Sequence, residues 1–274
     1  MVIFDTYLRE KGVLIEKALE THLPAETKYP PVIHEAMRYA VLGGGGKRIR
    51  PVLTLAVSEM LGASEGEAMI PACAVELIHS YSLIHDDLPC MDNAETRRGK
   101  PSCHKKFGEA IALLAGDALL TLAFQLLTTL KPSENNLRLI REIANAVGTS
   151  GMIGGQLVDI ESAEKRLDLP ALDDMNKRKT GALIQVSCLT GAIAAGAACD
   201  QEHRILKFGE YLGFAFQVVD DIIDGDGYLQ LMNEKAAREK ARLLVQKAKE
   251  ELSSFQAAGE TLCLIADALL ERKR

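Results

Sequence analysis

The chain has 274 residues, 47% of them hydrophobic, and a net charge of −6, which supplies a sizeable core and argues against a broad nucleic-acid surface. No shift in composition marks a linker, so one domain over residues 1–274 is expected. Cysteines stand at 73, 90, 103, 188, 199 and 263 with no CxxC pair, and read as buried, reduced thiols of a cytoplasmic protein. The opening Met-Val-Ile-Phe-Asp-Thr-Tyr lacks the basic region and long apolar run of a signal peptide.

Phe4, Leu8, Val13, Leu14, Ala18 and Leu19 recur at helical spacing and predict a helix over 2–21. Pro24, Pro30 and Pro31 then interrupt the helical pattern. A second helix, 32–42, carries Ile33, Met37, Ala40 and Val41 and stops at Gly43-Gly44-Gly45-Gly46. Lys47-Arg48-Ile49-Arg50-Pro51 and a helix over 51–61 come next. The glycine run with Lys47 resembles a phosphate-binding loop only loosely, because the spacing GxxxxGK[ST] fails at Arg48. A plain turn with a solvated basic pair, and a flexible backbone delivering Lys47 and Arg50 to a diphosphate, both remain open here.

Ser64-x-x-Glu67 is a capping box that leads to the helix ending His79-Ser80-Tyr81-Ser82-Leu83-Ile84-His85-Asp86-Asp87. Asp92 follows, then Arg97-Arg98. Adjacent aspartates at the end of an apolar helix are costly unless something positive meets them. Hard oxygen ligands suit Mg²⁺ and arginine forks match phosphate oxygens, so this stretch reads as a site for a magnesium-bound phosphate ester.

A long apolar helix is expected over 108–130, ended by Pro132, and Ser133 can cap another over 134–148. Gly151 to Gly155 interrupt the pattern, and Gln156 and Asp159 then share a helix face. Pro170 precedes a helix from about 171, and Lys177-Arg178-Lys179-Thr180-Gly181 stands just before an Ala-rich helix over 182–199. That charge run leads into apolar sequence, as a cation entering a pocket would. Residues 110–130 and 182–199 approach membrane-spanning length. Asp117 and Gln125, the lack of flanking basic clusters and the absence of Trp favour core helices over membrane insertion.

Residues 202–224 are apolar nearly all round, hence buried, and end Phe216-Gln217-Val218-Val219-Asp220-Asp221-Ile222-Ile223-Asp224. Asp220 and Asp224 lie about 40° apart on a helical wheel, and Asp221 is three residues before Asp224. Carboxylates converging on one face repel unless a cation is bound. Helices over 229–254 and 259–272, with i,i+4 pairs such as Glu234 with Arg238 and a basic terminus, complete the chain. With no strand pattern, repeat or low-complexity tract, the expected fold class is all-α, with ten or more helices. Two aspartate-rich helix ends facing each other across a cavity could hold Mg²⁺ ions around one diphosphate leaving group, above an apolar, water-excluding space.

The ordered set of motifs resembles the trans-isoprenyl diphosphate synthases (short-chain polyprenyl synthases), and within them the bacterial-type farnesyl diphosphate synthases. The likeness covers nearly all of the chain: Gly46-Lys47-Arg48-x-Arg50-Pro51, His79, Asp86-Asp87-x-x-x-x-Asp92 with Arg97-Arg98-Gly99, Gly155-Gln156-x-x-Asp159, Lys179-Thr180-Gly181, and Phe216-Gln217-x-x-Asp220-Asp221-x-x-Asp224. The resemblance implies the all-α isoprenoid synthase fold, a helical bundle around a central apolar cavity, as a homodimer. It implies Mg²⁺, three ions per site with Mn²⁺ able to substitute, held by Asp86, Asp87, Asp92, Asp220, Asp221 and Asp224. Arg97 and Lys179 would contact the allylic diphosphate, and Lys47, Arg50, His79 and Arg98 the isopentenyl diphosphate. Lys179, Thr180 and Gln217 would present dipoles to a carbocation, and the released diphosphate would take the final proton.

Tyr81 lies five residues before Asp86, about 7–8 Å along the helix, where an aromatic resembles enzymes that stop at C15; Ser82 beside it is small. The family's flexible lysine-containing loop after the second motif has no counterpart in Gly225-Asp226-Gly227-Tyr228. Other readings are a geranyl or geranylgeranyl diphosphate synthase, a non-catalytic subunit of a heteromeric synthase, a terpene cyclase, and a metal phosphohydrolase built on His85-Asp86.

Overall fold

The computed structural model describes residues 2–162 and 167–272; the Phe4 side chain and the basic terminus Lys273-Arg274 lie outside the described residues. The N-terminal half comprises α1 (Val2–His22), α2 (Pro31–Leu42), α3 (Ile49–Met60), α4 (Glu65–Asp86), the short α5 (Cys103–Phe107), α6 (Glu109–Leu127) and α7 (Glu134–Val147). The C-terminal half comprises α8 (Met152–Ser162), α9 (Leu169–Asn176), α10 (Ala182–Ala194), α11 (Cys199–Asp224), α12 (Glu234–Glu251) and α13 (Glu260–Leu270). The all-α expectation holds. Among the described residues the departure is a hairpin of two two-residue strands, β1 (Thr96–Arg97) and β2 (Lys100–Pro101), too short to leave an alternating pattern.

Local chemistry sets the boundaries. The Glu67 carboxylate accepts from the Ser64 N–H and hydroxyl, each at 2.8 Å, closing the expected capping box of α4. Ser133 accepts from the Asn136 N–H at the start of α7, and Asn233 from the Ala236 N–H at the start of α12. Several boundaries differ from the periodicity. The helix expected over 229–254 begins only at Glu234, and α8 runs from Met152 through the glycines expected to interrupt it. The apolar run expected over 182–199 ends at Ala194, because the chain turns at Gly196 with φ +68°, and α11 begins at Cys199 rather than 202. The segment Lys177–Gly181 is not a linker but a π-helical turn joining α9 to α10 without a break, a local widening common at functional sites.

The core runs through α4, α10 and α11, whose Leu77, Ile78, Leu183, Ile184, Phe208 and Leu212 are all buried. α4 packs on α3 and α6, and α11 on α10 and α12. Bare glycines let the central helices approach: a Cβ on Gly213 would come 2.9 Å from Gly181 Cα, and one on Gly191 2.3 Å from the Thr54 carbonyl oxygen. By length and composition α6 could cross a membrane; here its Ala112, Ala115, Gly116, Leu119 and Ala123 are buried in the bundle. This packing leaves the aspartate-bearing ends of α4 and α11 beside the π turn.

Candidate active site

The two ends of the predicted site meet through α11, whose opposite sides line different cavities. On one side, Asp92, Asp159, Lys179, Gln217, Asp221, Asp224 and Asp226 line a cavity of about 900 Å³. On the other, Lys47, Arg48, Arg50, His79, Arg98, Leu212, Phe216 and Arg272 line one of about 550 Å³. The homoallylic set expected from the sequence is therefore gathered in a single pocket, whereas of the six expected carboxylates Asp92, Asp221 and Asp224 line the other cavity and Asp86, Asp87 and Asp220 do not.

The basic pocket is built around a buried ion pair, Arg48 with Glu76, which the partly exposed Glu16 joins. Arg48 is 3% exposed and sits in the left-handed region at φ 51°. It donates to Glu76 at 2.5 Å, to Glu16 at 2.7 Å and to the Val41 carbonyl, tying α1, α2 and α4 together. Arg98, also left-handed at φ 54°, lies along the glycine run: a Cβ on Gly46 would fall 2.8 Å from its Nη1. Gly45 and Gly46 thus form a bed for this arginine, while a Cβ on Gly43 would meet the Tyr39 carbonyl oxygen instead. Arg50 Nη1 lies 3.3 Å from His79 Nε2, while Arg50 Nε is buried with no hydrogen-bond partner among the described residues.

Burial, with Arg50 and Arg98 beside it, holds the His79 imidazole well below its ordinary pKa, so it is neutral at pH 7 and its Nε2 accepts from Arg50. Burial and the neighbouring arginines also lower Arg50 and Arg98. Five cationic side chains and one carboxylate, Glu76, line the pocket; mutual repulsion of this kind is relieved by an anion.

The acidic side has the opposite imbalance. Burial, aided by Asp92 and Asp87, raises the Asp86 carboxyl to about 6 in spite of Lys179 and Arg97. Burial likewise raises Asp220 and Asp221. The donors are hard oxygens with too few cations, which fits Mg²⁺, although no group of three His, Cys, Asp or Glu residues among the described residues stands close enough to hold an ion. Several carboxylates are engaged within the protein instead. Asp87, 2% exposed, accepts from Arg97 Nη2 at 2.5 Å. Asp221 accepts from Gln217 Nε2 at 2.7 Å and from the Tyr228 N–H at 3.0 Å. Asp220 Oδ1 lies 2.8 Å from Arg272 Nη1.

The helical-wheel expectation for α11 is thus modified. Asp221 and Asp224 line the acidic cavity, whereas Asp220 turns to the C-terminal arginine on the other side. Lys179, in the π turn, pairs with Asp159 at 2.5 Å, and Gly155 makes room for that turn, since a Cβ there would fall 2.3 Å from Lys179 N. Thr180 is half-buried beside it. Gln217 lines the acidic cavity with its NH₂ group donated to Asp221, which leaves its carbonyl oxygen as its acceptor end.

Below the first motif, Tyr81 is 6% exposed and packs edge-on against His85 with ring centroids 5.3 Å apart. Ser82 donates to the His79 carbonyl at 2.9 Å. His85 Nε2 lies 3.1 Å from the Leu113 carbonyl oxygen and occupies the space beside Gly116, where a Cβ would be 2.2 Å away. It packs onto α6 rather than joining Asp86 as the ligand pair a phosphohydrolase would need.

The join after Asp224 is short but fully built. Gly225 ends α11 in the left-handed conformation at φ 79°. Gly227, at φ +50°, leaves no room for a side chain against Asp221 Oδ2, 1.9 Å from where a Cβ would stand. Tyr228 is completely buried, and its hydroxyl donates to Asp173, which also accepts from Lys240 at 2.7 Å.

Sequence reasoning missed Glu76, Asp226 and Arg272. Glu76 lay in an apolar run and Asp226 in what reads as a turn. Arg272 belongs to a basic terminus that reads as solvated.

Helices around a divided pocket, with arginines on one side and aspartates on the other, define an enzyme that handles phosphate esters. The polyprenyl synthetase family matches residues 30–251. A heterodimeric geranylgeranyl pyrophosphate synthase large subunit from Arabidopsis thaliana is 43% identical, covering 93% of this chain and 75% of its own length. The farnesyl diphosphate synthase of Geobacillus stearothermophilus is 39% identical over 98% of this chain and 97% of its own. The crystal structure of an FPP/GFPP synthase from Zymomonas mobilis superposes with a TM-score of 0.93 at 38% identity, covering 98% of this chain and 99% of that one. The chain belongs to the polyprenyl synthetase family, the trans-isoprenyl diphosphate synthases, and is a prenyltransferase with their all-α fold.

Proposed function

We propose that this prenyltransferase condenses isopentenyl diphosphate with dimethylallyl and geranyl diphosphate, head to tail, and stops at farnesyl diphosphate. The observation that supports it best is the division of charge across α11. Two diphosphates have to be held at once without repelling each other. The basic pocket suits the one that stays intact, and the acidic cavity suits the one that leaves.

In this reading Lys47, Arg50 and Arg98 bind the isopentenyl diphosphate, with His79 neutral until the anion arrives. Arg97 and Lys179 bind the allylic diphosphate, each held in place meanwhile by Asp87 and Asp159. Asp86, Asp87, Asp92, Asp220, Asp221 and Asp224 are the carboxylates that would hold Mg²⁺. When bound, Mg²⁺ supplies charge stabilisation to the departing diphosphate. Ionisation of the allylic C–O bond leaves a carbocation, toward which the Gln217 carbonyl oxygen and the Thr180 hydroxyl turn their negative ends. The double bond of isopentenyl diphosphate attacks it, and the released diphosphate takes the proton lost on elimination. No side-chain base is needed, and the carboxylates act as ligands.

Tyr81 supports the C15 limit. It is a bulky buried side chain more than one helical turn below Asp86, in the direction an elongating chain would grow. The farnesyl name of the Geobacillus relative agrees with that limit. The geranylgeranyl name of the Arabidopsis relative keeps a longer product as the second reading. A homodimer is supported by the apolar side chains that α6 and α8 leave exposed, Leu113, Leu114, Ile153, Leu157 and Ile160. A reducing, cytoplasmic setting is supported by six free cysteines, of which Cys73, Cys103 and Cys188 are buried while Cys90 and Cys199 are exposed.

The test is incubation with Mg²⁺, isopentenyl diphosphate and each allylic diphosphate in turn, followed by product analysis. A C15 diphosphate is expected. A C20 diphosphate moves the reading to a geranylgeranyl synthase, and cyclic hydrocarbon, free phosphate or no turnover rejects it.

A further inference from the structure

Arg272 lines the basic pocket and reaches a carboxylate of the second aspartate motif. Its Nη1 is 2.8 Å from Asp220 Oδ1, and its guanidinium carbon lies 4.5 Å from the centre of the Phe216 ring. Phe216 and Asp220 are four residues apart on α11 and share a face, so the arginine lies along that face with its guanidinium over the ring and its Nη1 beside the carboxylate. The same side chain lines the basic pocket beside Lys47, Arg50 and Arg98. The two side chains are 26% and 28% exposed, but Arg272 Nη1 itself is buried and makes no hydrogen bond among the described residues, so the contact is an ion pair that leaves this donor unsatisfied. Asp220 is one of the six carboxylates assigned above to the cation side, yet its nearest cation here belongs to the pocket for the other substrate.

We propose that Arg272 is a shared cation, which Asp220 holds while the basic pocket is empty and which an entering diphosphate takes over, releasing the Asp220 carboxylate to the acidic cavity. A guanidinium fork satisfies two phosphate oxygens at once, and a diphosphate carries more charge than one carboxylate, so the exchange runs toward the ligand. Phe216 holds the guanidinium through its ring face while the anionic partner changes, which confines the movement to the tip of the side chain. Filling of the basic pocket and readiness of the acidic one are thereby coupled, and the coupling is reciprocal. This inference rests on the proposed function, since it takes isopentenyl diphosphate as the occupant of the basic pocket.

The test is calorimetric titration of isopentenyl diphosphate into the full chain in EDTA, for the wild type, Arg272→Gln, Asp220→Asn and the double variant, with thermal melts confirming that each is folded. Arg272→Gln should weaken binding about three- to tenfold, the range of a partly exposed charged contact. Asp220→Asn should tighten it, because the incoming diphosphate then has no carboxylate to displace from Arg272, and the double variant should match Arg272→Gln alone. Unchanged affinity in Arg272→Gln overturns the proposal. So does a gain from Asp220→Asn that persists in the double variant, since the carboxylate then acts through its field and not through Arg272. If Arg272→Gln fails to fold, Asp220→Asn decides alone: unchanged or weaker binding overturns the proposal. A wild type that binds no isopentenyl diphosphate rejects the assignment of the basic pocket itself, a result distinct from any of these.

Discussion

Asp86 offers the sharpest test of the acidic half of the site. Burial raises its carboxyl from an ordinary 3.8 to about 6, so the folded protein at pH 7.5 contains a carboxylate it holds at a cost. A rise of that size corresponds to about 3 kcal/mol at 1.36 kcal/mol per pH unit, and partial exposure with solvent screening brings it to about 1–2 kcal/mol. A folded-state pKa above the unfolded one means that the carboxyl favours folding below pH 3.8, and that this contribution is lost as pH rises through 6. Asp86→Asn removes the charge and keeps the shape. In EDTA at pH 7.5 it should melt above the wild type by about 2–8 °C, at about 2–4 °C per kcal/mol for a chain of this size. The gap should close as pH falls toward 4. Adding Mg²⁺ with inorganic diphosphate should raise the melting temperature of the wild type and leave the variant nearly unmoved. Turnover of the variant should drop by about a hundredfold or more, the loss of roughly 3 kcal/mol of charge stabilisation. A variant no more stable than the wild type in EDTA at pH 7.5 would refute the claim that this cluster is short of cations.

Two further substitutions address product length and the short join. Tyr81→Ala should lengthen the product beyond C15 in a chain-length assay on reversed-phase plates, and an unchanged C15 product sinks the view of Tyr81 as the floor of the cavity. Gly227→Ala places a methyl group on Asp221 Oδ2 at a positive φ. It should cost about 1–3 kcal/mol, visible as a melting temperature lower by about 2–12 °C, with a matching loss of turnover. A melt within about 1 °C of wild type, well short of the shift that cost produces, would show that the Asp221–Tyr228 contact does not fix the join.

The helices were legible because the pattern that buries them is local. α4 and α11 carry apolar residues on nearly every face and end in aspartates, and both features survive in a single line of sequence. The clustering of Lys47, Arg50, His79 and Arg98 follows from their motifs. The pairings were not legible, because each depends on packing. Asp87 and Arg97 look like independent ligands until the hairpin of β1 and β2 folds Arg97 back onto α4. Asp220 and Asp221 are neighbours in sequence, but a helix sends adjacent side chains about 100° apart. One therefore reaches Arg272 and the other the Tyr228 N–H. The π turn at Lys177–Gly181 leaves no periodic trace in five residues, and Arg48 looks like one more ligand cation until its burial against Glu76 and Glu16 is seen.

The central claim is that α11 separates a pocket that binds diphosphate with the protein's own cations from one that needs a metal ion. Calorimetric titration with isopentenyl diphosphate and with geranyl diphosphate, each in EDTA and in Mg²⁺, tests it most directly. The account predicts that isopentenyl diphosphate binds in both buffers and that geranyl diphosphate gains its tight site only with Mg²⁺. Equal dependence of the two ligands on the metal would contradict it.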